Sequence, residues 1–211
     1  MQPYPKLGLA STSPLAFRRI QPIDQSDPMW MRIADKVGEV LSKAEDSMGI
    51  ARMNAVFHPK HPMPPAERAK VPTRIESLYR LDNGNGRSLY YVEATKRYGM
   101  PPMAANSTAK VATPRGGCST MTFGNGFFVI DAAGVMPTPT LDVRTSSCDY
   151  DTVSLILPLA ALGEGANQIW IGQLTGWDYE SYAGFRWDAD DNKIVDVFMT
   201  PGGNCEDSGG W

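Results

Sequence analysis

Histidine is nearly missing from this chain: there are two, His58 and His61, in 211 residues. Chemistry that needs an imidazole base or ligand therefore has a single place to reside, the segment His58-Pro59-Lys60-His61. An excess of positive charge is missing too. Twenty Lys and Arg against 23 Asp and Glu leave a formal charge of −3, which provides no broad basic face for phosphates and excludes nucleic acid as the expected partner. Long apolar runs are also lacking. The longest uncharged run, Gly116 to Ile130, is shorter than the roughly 18 apolar residues of a membrane helix, so no membrane span is expected. Residues 1–25 hold four prolines and no apolar core of a signal peptide, although a mature secreted chain would look the same. No period of 20 to 50 residues recurs, which argues against a propeller or solenoid.

Glycine (20) and proline (17) are abundant, while 42% of residues are hydrophobic. The chain is thus expected to be rich in loops yet able to fill a core. Its length exceeds the roughly 150-residue scale of one domain and suits a single domain with appendages. Residues 1–26 read as a proline-rich extended arm, because Pro3, Pro5, Pro14 and Pro22 block helix propagation. An amphipathic helix over 27–49 follows, with Asp27 as its cap, Pro28 at the first helical position and Gly49 as its stop. Trp30, Ile33, Val37, Leu41, Ala44 and Met48 repeat on one face. Glu39 and Lys43 stand four apart on the other, in the favourable order for an ion pair.

Five prolines between 57 and 73 mark 50–73 as a semi-rigid connector without regular structure. A hairpin over 74–81 and 87–96 is expected around Asp82-Asn83-Gly84-Asn85-Gly86. Strand-like runs then recur at 119–123, 126–131, 140–144, 152–157, 168–173, 182–188 and 193–200, spaced as in antiparallel sandwiches and barrels. The run at 152–157 is apolar at nearly every position and is expected to lie centrally. The fold class is α+β: one N-terminal amphipathic helix packed on a mainly antiparallel β-sheet body, a sandwich or open barrel, over 74–200, closed by a glycine-rich tail at 201–211.

No motif reaches the strength of a catalytic signature. Asp207-Ser208-Gly209-Gly210 reproduces the core around the nucleophile of chymotrypsin-like serine proteases, but Glu206 replaces the needed glycine and the chain stops at Trp211. The two histidines have no acidic or cysteine residue within five positions, so they read as part of a mobile surface loop rather than a metal site or base. Asp188, Asp190 and Asn192 alternate like calcium ligands. Lys193 stands where a calcium loop needs glycine and Met199 where it needs glutamate, so a hairpin turn accounts for them as well. No cofactor is expected.

Cys118, Cys148 and Cys205 each sit among Gly, Ser or Asn, as staples at strand ends do. Three single disulfides are open, besides three unlinked thiols. Cys148 with Cys205 is the first choice, since it would pin the tail and limit the unfolded chain by roughly 4 kcal/mol. This tilts the expected compartment toward the extracytoplasmic, periplasmic or secreted, where Asn106-Ser107-Thr108 would fit a glycan acceptor. Six aromatics fall between Trp170 and Trp187. Strand alternation sends Tyr182 to one face and Phe185 and Trp187 to the other, while 176–180 reads as a loop. Trp177, Asp178, Tyr179, Glu180 and Tyr182 are accordingly the candidate binding residues of a non-enzymatic interaction protein with a protein or glycan partner. The alternatives are a hydrolase whose acid and base come from Asp149, Asp151, Asp178 and Glu180, and an enzyme inhibitor or immunity-type protein.

Overall fold

The computed structural model describes residues 17–47, 51–53, 56–58, 61–82, 86–99, 120–134, 139, 141–148, 155–163, 168–175, 180–188 and 193–200. The architecture is mostly antiparallel sheet with one long helix. Helix α1 spans Met29–Ser47. The Asp27 carboxylate accepts the Met29 amide at 2.8 Å, and the Asp27 carbonyl accepts the Trp30 amide at 3.0 Å, which caps the helix where the sequence places its start. The buried positions of α1 are Ile33, Val37, Leu41 and Glu45, a stripe with a repeat of four. On the solvent side Glu39 pairs with Lys36 at 2.8 Å, not with Lys43 as its spacing suggests. Both pairings keep a charge partner within one turn of Glu39.

Two short strands precede the helix, β1 (Phe17–Arg18) and β2 (Gln21–Pro22). β1 pairs with one sheet and β2 with the other, so 17–22 is a strap joining two edges. Pro22 is tolerated there because an edge strand leaves one row of amides unused. The buried Ile20 lies between the two pairings. The connector holds more order than its prolines suggest: β3 (Ala51–Met53) pairs with β4 (Val56–His58), and Pro65–Arg68 forms the single-turn helix α2. Pro64 caps α2 and Pro65 starts it, because proline's fixed φ suits the first helical turn.

The first sheet has the order β2-β5-β6-β7-β8, with β5 Arg74–Asp82, β6 Ser88–Tyr98, β7 Thr120–Ile130 and β8 Asp142–Ser147. The expected hairpin is β5–β6, in register from Leu81↔Leu89. A bulge at Glu76 resets the alternation, so Ile75 and Leu78 share one face and Ser77, Tyr79 and Leu81 the other. β7 corrects the sequence reading, which breaks it at Gly124-Asn125. The pairing with β6 runs through without interruption, Ala94↔Gly124, Glu93↔Asn125 and Val92↔Gly126. Gly124 serves close approach rather than a turn: a Cβ there would lie 2.5 Å from Leu41 Cδ2.

The second sheet has the order β1-β9-β10-β11-β12, with β9 Leu155–Leu162, β10 Ile169–Thr175, β11 Glu180–Asp188 and β12 Lys193–Thr200. β9 takes up the end of the apolar run. It pairs with β10 along its length but with β1 only at Ala161 and Leu162, so among the described strands residues 155–160 form a margin of the sheet, and Leu157 is exposed, rather than the central strand that the run predicts. Pro158 sits beside the register shift opposite Ile171 and Gly172, where a missing amide is least costly.

Two apolar clusters form around the first sheet. Ile33, Val37 and Leu41 join Ile75, Leu78, Tyr90, Val92, Ala94, Phe128 and Ile130 in one. Leu81, Leu89, Tyr91 and Val129 join Ala161, Trp170, Ala183 and Phe185 of the second sheet in the other. Phe127 is its hinge point, with ring centroids 4.9 Å from Tyr91, 5.6 Å from Trp170 and 5.4 Å from Phe185, distances at which aromatic pairs add to area burial.

Candidate functional site

Glu45 continues the apolar stripe of α1 one turn beyond Leu41, and Lys96 and Tyr98 continue the face of β6 that carries Tyr90, Val92 and Ala94. Helical and strand periods thus bring a carboxylate, an ammonium and a phenol together beneath the end of α1. Lys96 Nζ donates to Glu45 Oε2 at 2.9 Å and to Ser42 Oγ at 3.4 Å, and the Tyr98 hydroxyl donates to Glu45 Oε1. Arg68 of α2 approaches Glu45 with Nε at 3.7 Å, donates to the Met63 carbonyl at 2.8 Å and pairs with Asp46 at the rim. The side chains of Glu45 and Lys96 are 1% and 3% exposed. Charges are buried so completely only when paired, and Glu45 lies at the negative end of the α1 dipole, which makes the two cations more necessary.

His61 corrects the surface-loop reading: it is buried against this cluster. Its ring meets Tyr98 edge to face, with centroids 5.1 Å apart. The Met63 amide donates to Nδ1 at 3.1 Å, which assigns the ring proton of the neutral form to Nε2. Nε2 is 3.2 Å from Thr122 Oγ1, which is 3.2 Å from Thr145 Oγ1; Nε2 also lies 3.9 Å from Glu45 Oε1. Burial holds the His61 pKa below its ordinary value; Arg68 and Lys96 act in the same direction, against Glu45. Burial, aided by the Glu45 carboxylate, pushes the Tyr98 phenol up and keeps it protonated. The described buried polar atoms that lack a hydrogen bond, Arg80 Nε, Gln168 Nε2 and Trp170 Nε1, all lie outside this cluster.

A second buried carboxylate, Glu93, faces the other sheet. It accepts the Tyr91 hydroxyl at 2.7 Å, the Ser77 hydroxyl at 2.7 Å and the Ile156 amide at 3.0 Å. Because Ile156 belongs to β9, this carboxylate ties the two sheets by a charge-assisted bond. The sequence reading names neither glutamate, although the repeat 33, 37, 41, 45 on the helix carries the signal for Glu45 and the alternation 89, 91, 93 on the strand that for Glu93.

Of the candidate binding residues, Glu180 and Tyr182 are described, and they lie elsewhere, at the start of β11. Glu180 accepts the Tyr182 hydroxyl at 2.9 Å, which raises the Tyr182 pKa, and the Tyr182 amide donates to Thr200 Oγ1 at 3.2 Å. Trp177, Asp178 and Tyr179 lie outside the described residues, as do Asp149 and Asp151. Tyr182 is half-buried, whereas Phe185 is buried and Trp187 packs on the same cluster from the face Phe185 occupies. Next to Tyr182 runs β12, which has no partner on its outer edge among the described strands. It exposes Val197 (44%), Phe198 (39%) and Met199 (59%), with Phe198 lying over Gly184.

Asp188 ends β11 in register with Lys193; Asp190 and Asn192 lie outside the described residues. Cys148 follows β8 as the single described cysteine, so no disulfide is seen between described residues, and Cys148 is not a free thiol. Its expected partner Cys205 lies outside them. No described helix is long and apolar enough to cross a membrane. No protein-family model matches the chain, and comparison with curated proteins and with solved structures returns no match.

Proposed function

We propose that the chain is a non-enzymatic interaction protein that receives a protein partner along the outer edge of β12, near Glu180 and Tyr182. The observation that carries this reading is three consecutive large apolar residues, Val197, Phe198 and Met199, exposed on an edge strand. Edge strands in soluble proteins are ordinarily blunted by charge, proline or a covering loop. An apolar one offers amides and carbonyls for strand addition and side chains for selectivity. Glu180 and Tyr182, two of the five residues chosen from the sequence, lie on the neighbouring strand, with Tyr182 opposite Thr200, which supports reading them together with β12. The architecture behind it is read as a sandwich of the two sheets, with α1 covering the far side of the first; the two apolar clusters support this.

A photo-crosslinking residue at position 197, compared with one at the exposed Leu157, tests the reading in extracts of the source organism. Position 197 is expected to give one discrete protein adduct, lost in Met199→Lys, with little from 157. Equal, scattered labelling from both positions, or purified protein that turns over a hydrolysable substrate, would overturn it. An adduct of twice the chain mass would make the partner a second copy.

A Cys148–Cys205 staple and an extracytoplasmic location belong to the same proposal. Thiol counting in unreduced, denatured protein is expected to find one free thiol; three would end the staple.

A further inference from the structure

We propose that His61 is an acid-released latch: taking up a proton at Nδ1 frees the segment from His61 to Arg68, including α2, from the end of α1 and the first sheet. The geometry leaves the ring no room for a second proton. Nδ1 already accepts the Met63 amide at 3.1 Å, so a proton placed there sets two donors against each other and breaks that bond. Nε2 is occupied by Thr122.

The new positive charge would be buried among groups from every described element around it. From α1 come Glu45 and, through Arg68, Asp46. From α2 comes Arg68, and from β6 come Lys96 and Tyr98. β7 and β8 present the hydroxyls of Thr122 and Thr145. Glu45 attracts the imidazolium from 3.9 Å, but its two oxygens already serve Tyr98, Lys96 and Arg68. Arg68 and Lys96 repel it. The segment is therefore held by a neutral ring close to two cations, and α2 adds a single helical turn, with the Arg68 pairs to Glu45 and Asp46 and the buried Met63 as its other anchors.

The sign follows from proton linkage. The docked ring binds its proton more weakly than a solvated one, so the released segment holds more protons wherever the pH lies between the docked value and about 6.5. Docking is complete above that window and weakens as the pH falls through it. One proton per release limits the change in the opening constant to about tenfold per pH unit.

Hydrogen exchange of the 63–69 amides between pH 7.5 and 5, corrected for intrinsic rates, reads this directly. Opening is expected to rise severalfold per unit below about 6.5, while the β6 and β7 amides keep their protection. His61→Gln, which can still accept from Met63 and donate to Thr122 but does not titrate, is expected to lose the pH dependence. Nitrogen chemical shifts of the His61 ring in the unmodified chain provide the check that needs no variant. Protonation of Nδ1 should coincide with loss of the Met63 amide bond. Exchange at 63–69 that ignores pH, a pH dependence retained in His61→Gln, or a ring protonated while the segment stays docked would each overturn the latch.

Discussion

Ile33, Val37 and Leu41 of α1 share one apolar cluster with Tyr90, Val92 and Ala94; one turn later, Glu45 of the same stripe meets Lys96 and Tyr98 of the same strand face. The two halves of this footprint share one geometry and differ in chemistry. The apolar half is non-directional, so its stability grows with buried area, about 1.5–3 kcal/mol for each side chain of this size. The charged half is conditional: its members are tolerable only together, since each removes the desolvation penalty of another. The lesson is that a continuous helix–sheet contact can be forgiving at one end and all-or-none at the other.

That contrast can be broken most forcefully by Lys96→Met. It leaves the Glu45 carboxylate buried without its closest cation and is expected to cost about 3–5 kcal/mol, read as a fall in the urea midpoint. Combining it with Glu45→Leu should recover at least half of the loss. A single variant that costs no more than an exposed ion pair would show that water reaches Glu45. In the apolar half, Gly124→Ala places a methyl 2.5 Å from Leu41 Cδ2. A cost of about 1–3 kcal/mol is expected, at the low end if the flexible tip of Leu41 turns aside, with no change in the pH dependence of exchange at 63–69. A Gly124→Ala variant that altered that pH dependence would show that the halves are coupled.

Much of the fold could be read from residues that act locally. Asp27 and Pro28 start α1 where they should because a cap and a proline at the first position need nothing from elsewhere. β12 spans 193–200 as its run predicts. Readings failed where a distant partner decides. Gly124-Asn125 has turn composition, but the strand continues because β6 and β8 pair with it there, and Gly124 leaves the room that Leu41, 83 positions earlier in sequence, occupies. His61 has loop-forming neighbours, and only the meeting of α1, α2 and β6 reveals that it is enclosed. Glu45 and Lys96 look like solvated charges until each is placed on its own apolar period. The apolar edge of β12 was legible as a strand, but its position at the margin of the sheet depends on the pairing order, which one sequence does not supply.

Between the β1 and β2 pairings of the strap, only Arg19 and Ile20 intervene. Three peptide steps from Arg18 to Gln21 can reach at most about 11 Å. The margins of β9 and β5 to which the strap is stitched are therefore on a short leash, and Arg18 shortens it further by bonding the Asp82 carbonyl at 2.8 Å. Anything that pries those margins apart must first unpick residues 17–22, so tension on the amino-terminal side of the strap would be felt by both sheets at once.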